Sequence, residues 1–164
     1  AIGTGLNVRP IHVIVKEQRN PRVAHFLRSM RTRFGNIMID VSEIRRVVRA
    51  LATGGLVALL GDQASFAESV AVPFFGAPVP TFEGTARLAL RMRSPLLFLA
   101  PVRRTWDGYE CVFHEIPYDD LTELTDENVR ILTARHTAIL EQTIRQAPHL
   151  WLWQHRRWKY AEQP

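Results

Sequence analysis

Two hydrophobic periodicities alternate along this chain. Ile11 to Val15 is a brief, mostly apolar run of strand character. Asn20 followed by Pro21 reads as an N-cap and a first helical position. Val23, Phe26, Leu27, Met30 and Phe34 then share one face of a helix that Gly35 ends. Asn36 to Ile39 is a second strand. Asp40 with Glu43 resembles a capping box, and the next helix turns Ile44, Val47, Val48 and Leu51 inward and Arg45, Arg46 and Arg49 outward until Gly54-Gly55. Leu56 to Leu60 is apolar throughout, the signature of a strand buried on both faces.

From Gly61 to Pro80 the pattern breaks. Three of the ten prolines and two adjacent phenylalanines fall there, which predicts a long irregular loop, a kind usually kept for function. Thr81 to Arg93 is periodic as a helix. Leu96 to Arg103 and Tyr109 to Ile116 are strands joined through Trp106-Asp107-Gly108, a hairpin signal. The last helix begins near Thr125, with Asp126 and Glu127 suited to its dipole, and stops before Pro148. This order predicts an α/β fold: a mostly parallel sheet flanked by helices on both faces, with an antiparallel hairpin near one edge. No repeat or internal linker interrupts the 164 residues, so a single domain over residues 1–164 is expected.

Composition narrows the class. At 46% hydrophobic and 23% charged, the chain is ordinary for a globular protein. One cysteine, Cys111, excludes an internal disulfide and a cysteine-built zinc site, and no metal is expected. No apolar run spans a bilayer. Net charge is +5, but it is unevenly placed. Residues 107–127 hold eight acids and no Lys or Arg, leaving +13 on the remainder. Nineteen of the 21 cations are arginine, whose planar fork suits phosphate and carboxylate. A GC-rich genome would also raise Arg over Lys, but it would not segregate the signs. An anionic partner is implied: a phosphorylated lipid, an acidic carrier protein or nucleic acid.

Four segments carry candidate chemistry. Asp62 and Gln63 follow a central strand, where open α/β sheets place their sites, although a turn or cap aspartate reads equally well. Phe74 and Phe75 in the proline-bordered stretch would line a greasy channel or anchor a loop. Thr81 to Arg87, with Gly84, Thr85 and Arg87, begins a helix whose free N–H groups attract anions and whose Arg87 and Arg91 share one face, against the plainer reading of an ordinary helix start with a solvated Arg stripe. The tail, Leu150 to Lys159, alternates Trp151 and Trp153 as a packed strand would, with its arginines outward; base stacking and a membrane interface are the rival readings. Three His-x4-acid pairs occur, His12 with Glu17, His114 with Asp119 and His136 with Glu141. A spacing of five puts strand neighbours on opposite faces and helical ones about 140° apart. None is therefore expected to act as a general-base dyad, and His136, in an apolar stripe, reads as a satisfied core residue.

Taken in order, Arg31-Thr32-Arg33-Phe34-Gly35, Gly61-Asp62-Gln63, Val72-Pro73-Phe74-Phe75-Gly76, Gly84-Thr85-Ala86-Arg87-Leu88-Ala89, Ala147-Pro148 and Trp153-Gln154-His155-Arg156-Arg157-Trp158-Lys159 resemble the lipid A biosynthesis lauroyl/myristoyl acyltransferase family over nearly the whole chain. The tail and the proline-aromatic segment are its most specific parts. The resemblance implies transfer of a fatty acyl group from acyl carrier protein or acyl-CoA to a hydroxyl of a glycolipid such as a lipid A precursor. It implies a cytoplasm-facing location at the inner membrane and no cofactor beyond the donor. The family's His-x4-acid motif, whose His is the general base, precedes the strand matching Ile11 to Val15. No catalytic residue is therefore expected in this chain, which reads as a C-terminal portion and by itself inactive. Arg31, Arg33, Asp62, Gln63, Phe74, Phe75, Gly84, Thr85 and Arg87 are the expected substrate-binding residues. Ala64 stands where relatives often place a second acid. Glu83-Gly84-Thr85 is nearer the Glu-Gly-Thr motif of glycerolipid acyltransferases, which leaves the acceptor open. The alternatives are a non-catalytic module for anionic lipid or an acidic carrier and, less favoured, a nucleic-acid binder.

Overall fold

The computed structural model describes residues 10–62 and 68–159. The chain divides into two compact units, residues 1–60 and 61–164.

The first unit is a small parallel α/β assembly. β1 (Ile11–Val15), α1 (Pro21–Thr32), β2 (Ile37–Asp40), α2 (Ile44–Ala52) and β3 (Leu56–Ala58) follow one another, and the strands lie in the order β2-β1-β3. Both pairings are parallel, with His12 beside Ile37 and Ile11 beside Leu56. The caps are those the sequence specifies. Asn20 Oδ1 accepts the N–H groups of Arg22 and Val23 at 3.0 and 3.4 Å, with Pro21 at the first helical position. Half of the predicted capping box forms, the Asp40 N–H donating to Glu43 Oε2 at 3.1 Å. Val47 and Ala50 are buried, but Ile44, expected inward, is 54% exposed. β3 also departs from expectation. It has three residues rather than five and is an outer strand of this sheet, so Leu56 and Leu60 are exposed rather than buried on both faces. Of the predicted α1 face only Leu27 is half-buried; Val23, Phe26, Met30 and Phe34 are exposed.

The second unit holds β4 (Ser69–Phe74), β5 (Ala77–Phe82), α3 (Gly84–Met92), β6 (Leu97–Arg103), β7 (Tyr109–Glu115), α4 (Asp126–Gln146) and a 3₁₀ turn, Pro148–Leu150. The expected irregular stretch is largely a β-hairpin, β4 pairing antiparallel with β5 through a two-residue turn, Phe75-Gly76. Its prolines are tolerated because a two-stranded sheet is all edge, where a missing N–H is affordable. Phe75 and Gly76 both have positive φ, 51° and 82°, the geometry that matches hairpin twist. Thr81 and Phe82 end β5, so α3 starts later than predicted. The predicted β6–β7 hairpin forms in register from Leu97 beside Glu115 to Arg103 beside Tyr109, but as a two-stranded sheet of its own. α4 is capped by Thr125, whose hydroxyl accepts the Asn128 N–H at 3.2 Å.

Two apolar clusters fix this unit. Ala86, Ala89 and Leu90 of α3 pack with Ile116, Tyr118, Leu121, Val129 and Leu132. Phe74, Val79 and Ile144 form the other, with Phe75, Leu140, Trp151 and Trp158 against them. Among the described residues no helix is long and apolar enough to cross a membrane.

Candidate functional site

The alternation of β4 and β5 sends Val72, Phe74, Val79 and Thr81 inward. This inward face meets the C-terminal tail. Phe74 is wholly buried, its ring stacked on Trp158 at 5.3 Å and near Trp151 at 6.4 Å. Arg157 is wholly buried too, which corrects the expectation of outward arginines on a tail strand. The tail is a series of turns, and Arg157 points into the protein. Its Nη1 donates to the Pro80 carbonyl and its Nη2 to Thr81 Oγ1, both at 2.6 Å, while the guanidinium lies over the Phe74 ring at 5.3 Å. Burial lowers its pKa, and the charge of Asp62 works in the opposite direction. Asp62, half-buried, thus lies within the electrostatic reach of Arg157. Gln63 lies outside the described residues.

Beside Arg157 is a buried polar stretch of α4. Thr133, His136 and Thr137 are all buried. Burial, and secondarily the charge of Arg157, lowers the His136 imidazole to about 4, so it is neutral at physiological pH. The helix stripe correctly predicted a buried histidine, but His136 is not satisfied: its Nε2 and the Nε of Arg157 have no hydrogen-bond partner among the described residues. Nothing local in the sequence marks Arg157 as inward; only the tail's packing on the hairpin decides it.

At the turn end of the hairpin, the Phe75 N–H donates to Glu141 Oε2 at 2.6 Å, and Arg145 pairs with Glu141 at 2.7 Å. The Phe75 N–H first, and Arg145 second, hold the Glu141 carboxyl below its ordinary range. Arg145 also covers the Phe75 ring at 4.6 Å. Next to this turn a groove of about 350 Å³ runs between β4 and α4, floored by Pro73, Ala134 and Ala138 and edged by Glu141, Gln142 and Arg145. Phe74 offers it no surface, and half-buried Phe75 is not among its lining residues, its ring lying under Arg145.

At the opposite end of the hairpin, β5 leads directly into Glu83 and α3. Gly84 lies under the Phe82 ring, where a Cβ would come within 2.2 Å of Cζ. Thr85 is half-buried on the first turn. Arg87 donates from Nε to Glu83 at 2.7 Å and from Nη2 to Asp126 at 2.8 Å, so the cation at this helix start is balanced by two carboxylates, and its pKa is raised by Glu83 first and Asp126 second. Ala77 and Phe82 bound β5, so the Phe75 turn and the Gly84–Arg87 start are separated by about 17 Å of strand.

In the first unit, Arg31 and Arg28 line a small crevice with Glu17, Gln18 and Val15 at the carboxyl end of β1. Arg33 is exposed and stacks over Phe34 at 5.9 Å. The described residues join none of the three His-x4-acid pairs by a hydrogen bond. His12 Nδ1 is 3.2 Å from the Leu56 carbonyl, Glu17 is engaged by Arg28, His114 lies beside the Phe98 ring, and Glu141 serves Phe75 and Arg145.

No curated protein matches the chain. A family model described as bacterial lipid A biosynthesis acyltransferase matches residues 5–160, taking in both units, the proline-aromatic hairpin and the Trp- and Arg-rich tail. The chain belongs to the bacterial lipid A biosynthesis acyltransferase family.

Proposed function

We propose that this chain holds the substrates of an enzyme that moves a fatty acyl group from acyl carrier protein, or acyl-CoA, to a hydroxyl of a glycolipid such as a lipid A precursor at the cytoplasmic face of the inner membrane. The family match across residues 5–160 carries this reading and supports a transferase role in lipid A biosynthesis. The remainder rests on chemistry. The groove has an apolar floor of Pro73, Ala134 and Ala138 with room for part of an acyl chain, and a polar edge of Glu141, Gln142 and Arg145. Arg31 and Arg33 offer forked donors to a phosphate or to an acidic carrier. The start of α3, with Gly84 and Thr85, presents backbone N–H groups to an anion, and Arg87 joins it by releasing one of its two carboxylates. Asp62, opposed by Arg157, serves as an acceptor for a substrate hydroxyl. The acyl transfer needs a general base to take the proton of the attacking hydroxyl. We assign that base to none of the histidine–acid pairs of this chain.

Titration of the whole chain with acyl-CoA of increasing chain length tests this. Affinity should rise with chain length in the wild type and lose that dependence in Ala138→Trp, an exposed helical position whose new ring would fill the groove. Acyl carrier protein should bind saturably and release with salt. Tight, steeply salt-dependent binding to DNA of any sequence, with no response to acyl length, would overturn the reading in favour of a nucleic-acid binder.

A further inference from the structure

The exposed apolar residues of α1 form one stripe. At 100° per residue, Val23, Phe26, Met30 and, just past the helix, Phe34 fall within a sector of about 80° that runs about 17 Å along the axis. Their exposures are 43%, 60%, 43% and 51%. The helix packs instead through Ala24, Leu27 and Arg31, next to this sector. Arg22 and Arg33 border the stripe on its other side, and Arg19 precedes the helix. None of these three makes an ion pair among the described residues, and α1 itself contains no Asp or Glu. The surrounding unit has the same sign. Residues 1–60 contain ten of the 21 cations but three of the 16 acids, a net charge of +7, whereas residues 61–164 carry −2.

A large exposed aromatic and aliphatic stripe edged by arginines is the pattern of a helix lying in a membrane interface, its rings among the acyl chains and its guanidiniums at anionic headgroups. We infer that α1 docks the first unit on the surface of an anionic bilayer, with Phe26, Met30 and Phe34 inserted and Arg19, Arg22 and Arg33 at the headgroups. This deepens the membrane location in the proposed function; because it requires neither donor nor acceptor, vesicle binding and acyl-CoA binding can fail separately.

Co-sedimentation of the whole chain with vesicles of phosphatidylglycerol and phosphatidylcholine, against phosphatidylcholine alone, tests it. Binding should need the anionic lipid and weaken as salt rises. Phe26→Ser combined with Met30→Ser should weaken it by about tenfold or more. Both side chains are exposed, so far-UV circular dichroism should be unchanged. Phe26→Trp gives an independent readout, since residues 1–60 contain no tryptophan. Its difference emission should shift to the blue when anionic vesicles are added, which surface adhesion through the arginines alone would not produce. An unshifted Phe26→Trp spectrum, or serine variants that bind like the wild type, would overturn the proposal. So would a wild-type dimer in sedimentation that the serine variants abolish while neither form binds vesicles, because the stripe would then belong to a second copy of the chain.

Discussion

Removing the buried guanidinium of Arg157 should destabilise the second unit strongly. In the native state Arg157 donates two charge-assisted hydrogen bonds, to the Pro80 carbonyl and Thr81 Oγ1, each at 2.6 Å, and covers the Phe74 ring. Hydrogen bonds to charged groups contribute about 1.5–3 kcal/mol each, and a desolvated cation over a ring about 2 kcal/mol. Against these stands the penalty of several kcal/mol for taking the cation out of water. Truncation to alanine loses the attractions and leaves a cavity beside Phe74 and Trp158, so Arg157→Ala should cost about 3–5 kcal/mol. Arg157→Met keeps most of the volume. Thr81 retains a partner in that variant, because its hydroxyl donates to the Val79 carbonyl at 3.1 Å, so the chief loss is the donor to Pro80, about 1–3 kcal/mol. All four tryptophans, Trp106, Trp151, Trp153 and Trp158, lie in residues 61–164, so urea unfolding followed by tryptophan emission reports this unit alone. With a slope of about 2 kcal/mol per molar, Arg157→Ala should lower the midpoint by roughly 2 M. An alanine variant within about 1 kcal/mol of wild type, or a methionine variant as damaged as the alanine one, would refute the argument that Arg157 is an internal cross-brace.

Other expectations follow from neighbouring groups. His136 has a folded pKa near 4 against an ordinary 6.5. Its contribution is therefore complete above pH 6.5 and is lost as pH falls towards 4, with a ceiling of about 3 kcal/mol, and His136→Gln should flatten that part of the stability–pH curve measured by tryptophan emission. Gly84→Ala should destabilise by about 1 kcal/mol, because the Phe82 ring must swing aside, and Phe82→Leu in the same chain should recover most of the loss in thermal unfolding. Glu141→Ala removes the acceptor of the Phe75 N–H at a turn where Phe75 holds a φ of 51°, so it should cost about 2 kcal/mol and speed amide exchange at Phe75, as seen by NMR.

Much of the local structure was written in the sequence because it depends on neighbours along the chain. Asn20-Pro21 set the start of α1, Thr125 with its acidic first turn set the start of α4, and Asp107-Gly108 turned β6 into β7. The family was legible for a similar reason, in the order of short segments from Arg31 to Lys159. The β4–β5 hairpin was hidden by its prolines, although its period-two alternation was present in Val72, Phe74, Val79 and Thr81; an edge position makes those prolines harmless, and edge positions are assigned by packing. Contacts between residues far apart in sequence were decided only in three dimensions. Arg157 is buried because Thr81 and Pro80, more than seventy residues earlier, offer it oxygens. Arg87 is balanced because α4 brings Asp126 to it, and the α1 stripe is exposed because the helix packs on the side next to it. Local propensity fixes where an element begins and which faces it has; which face is covered, and by what, is a property of the packed chain.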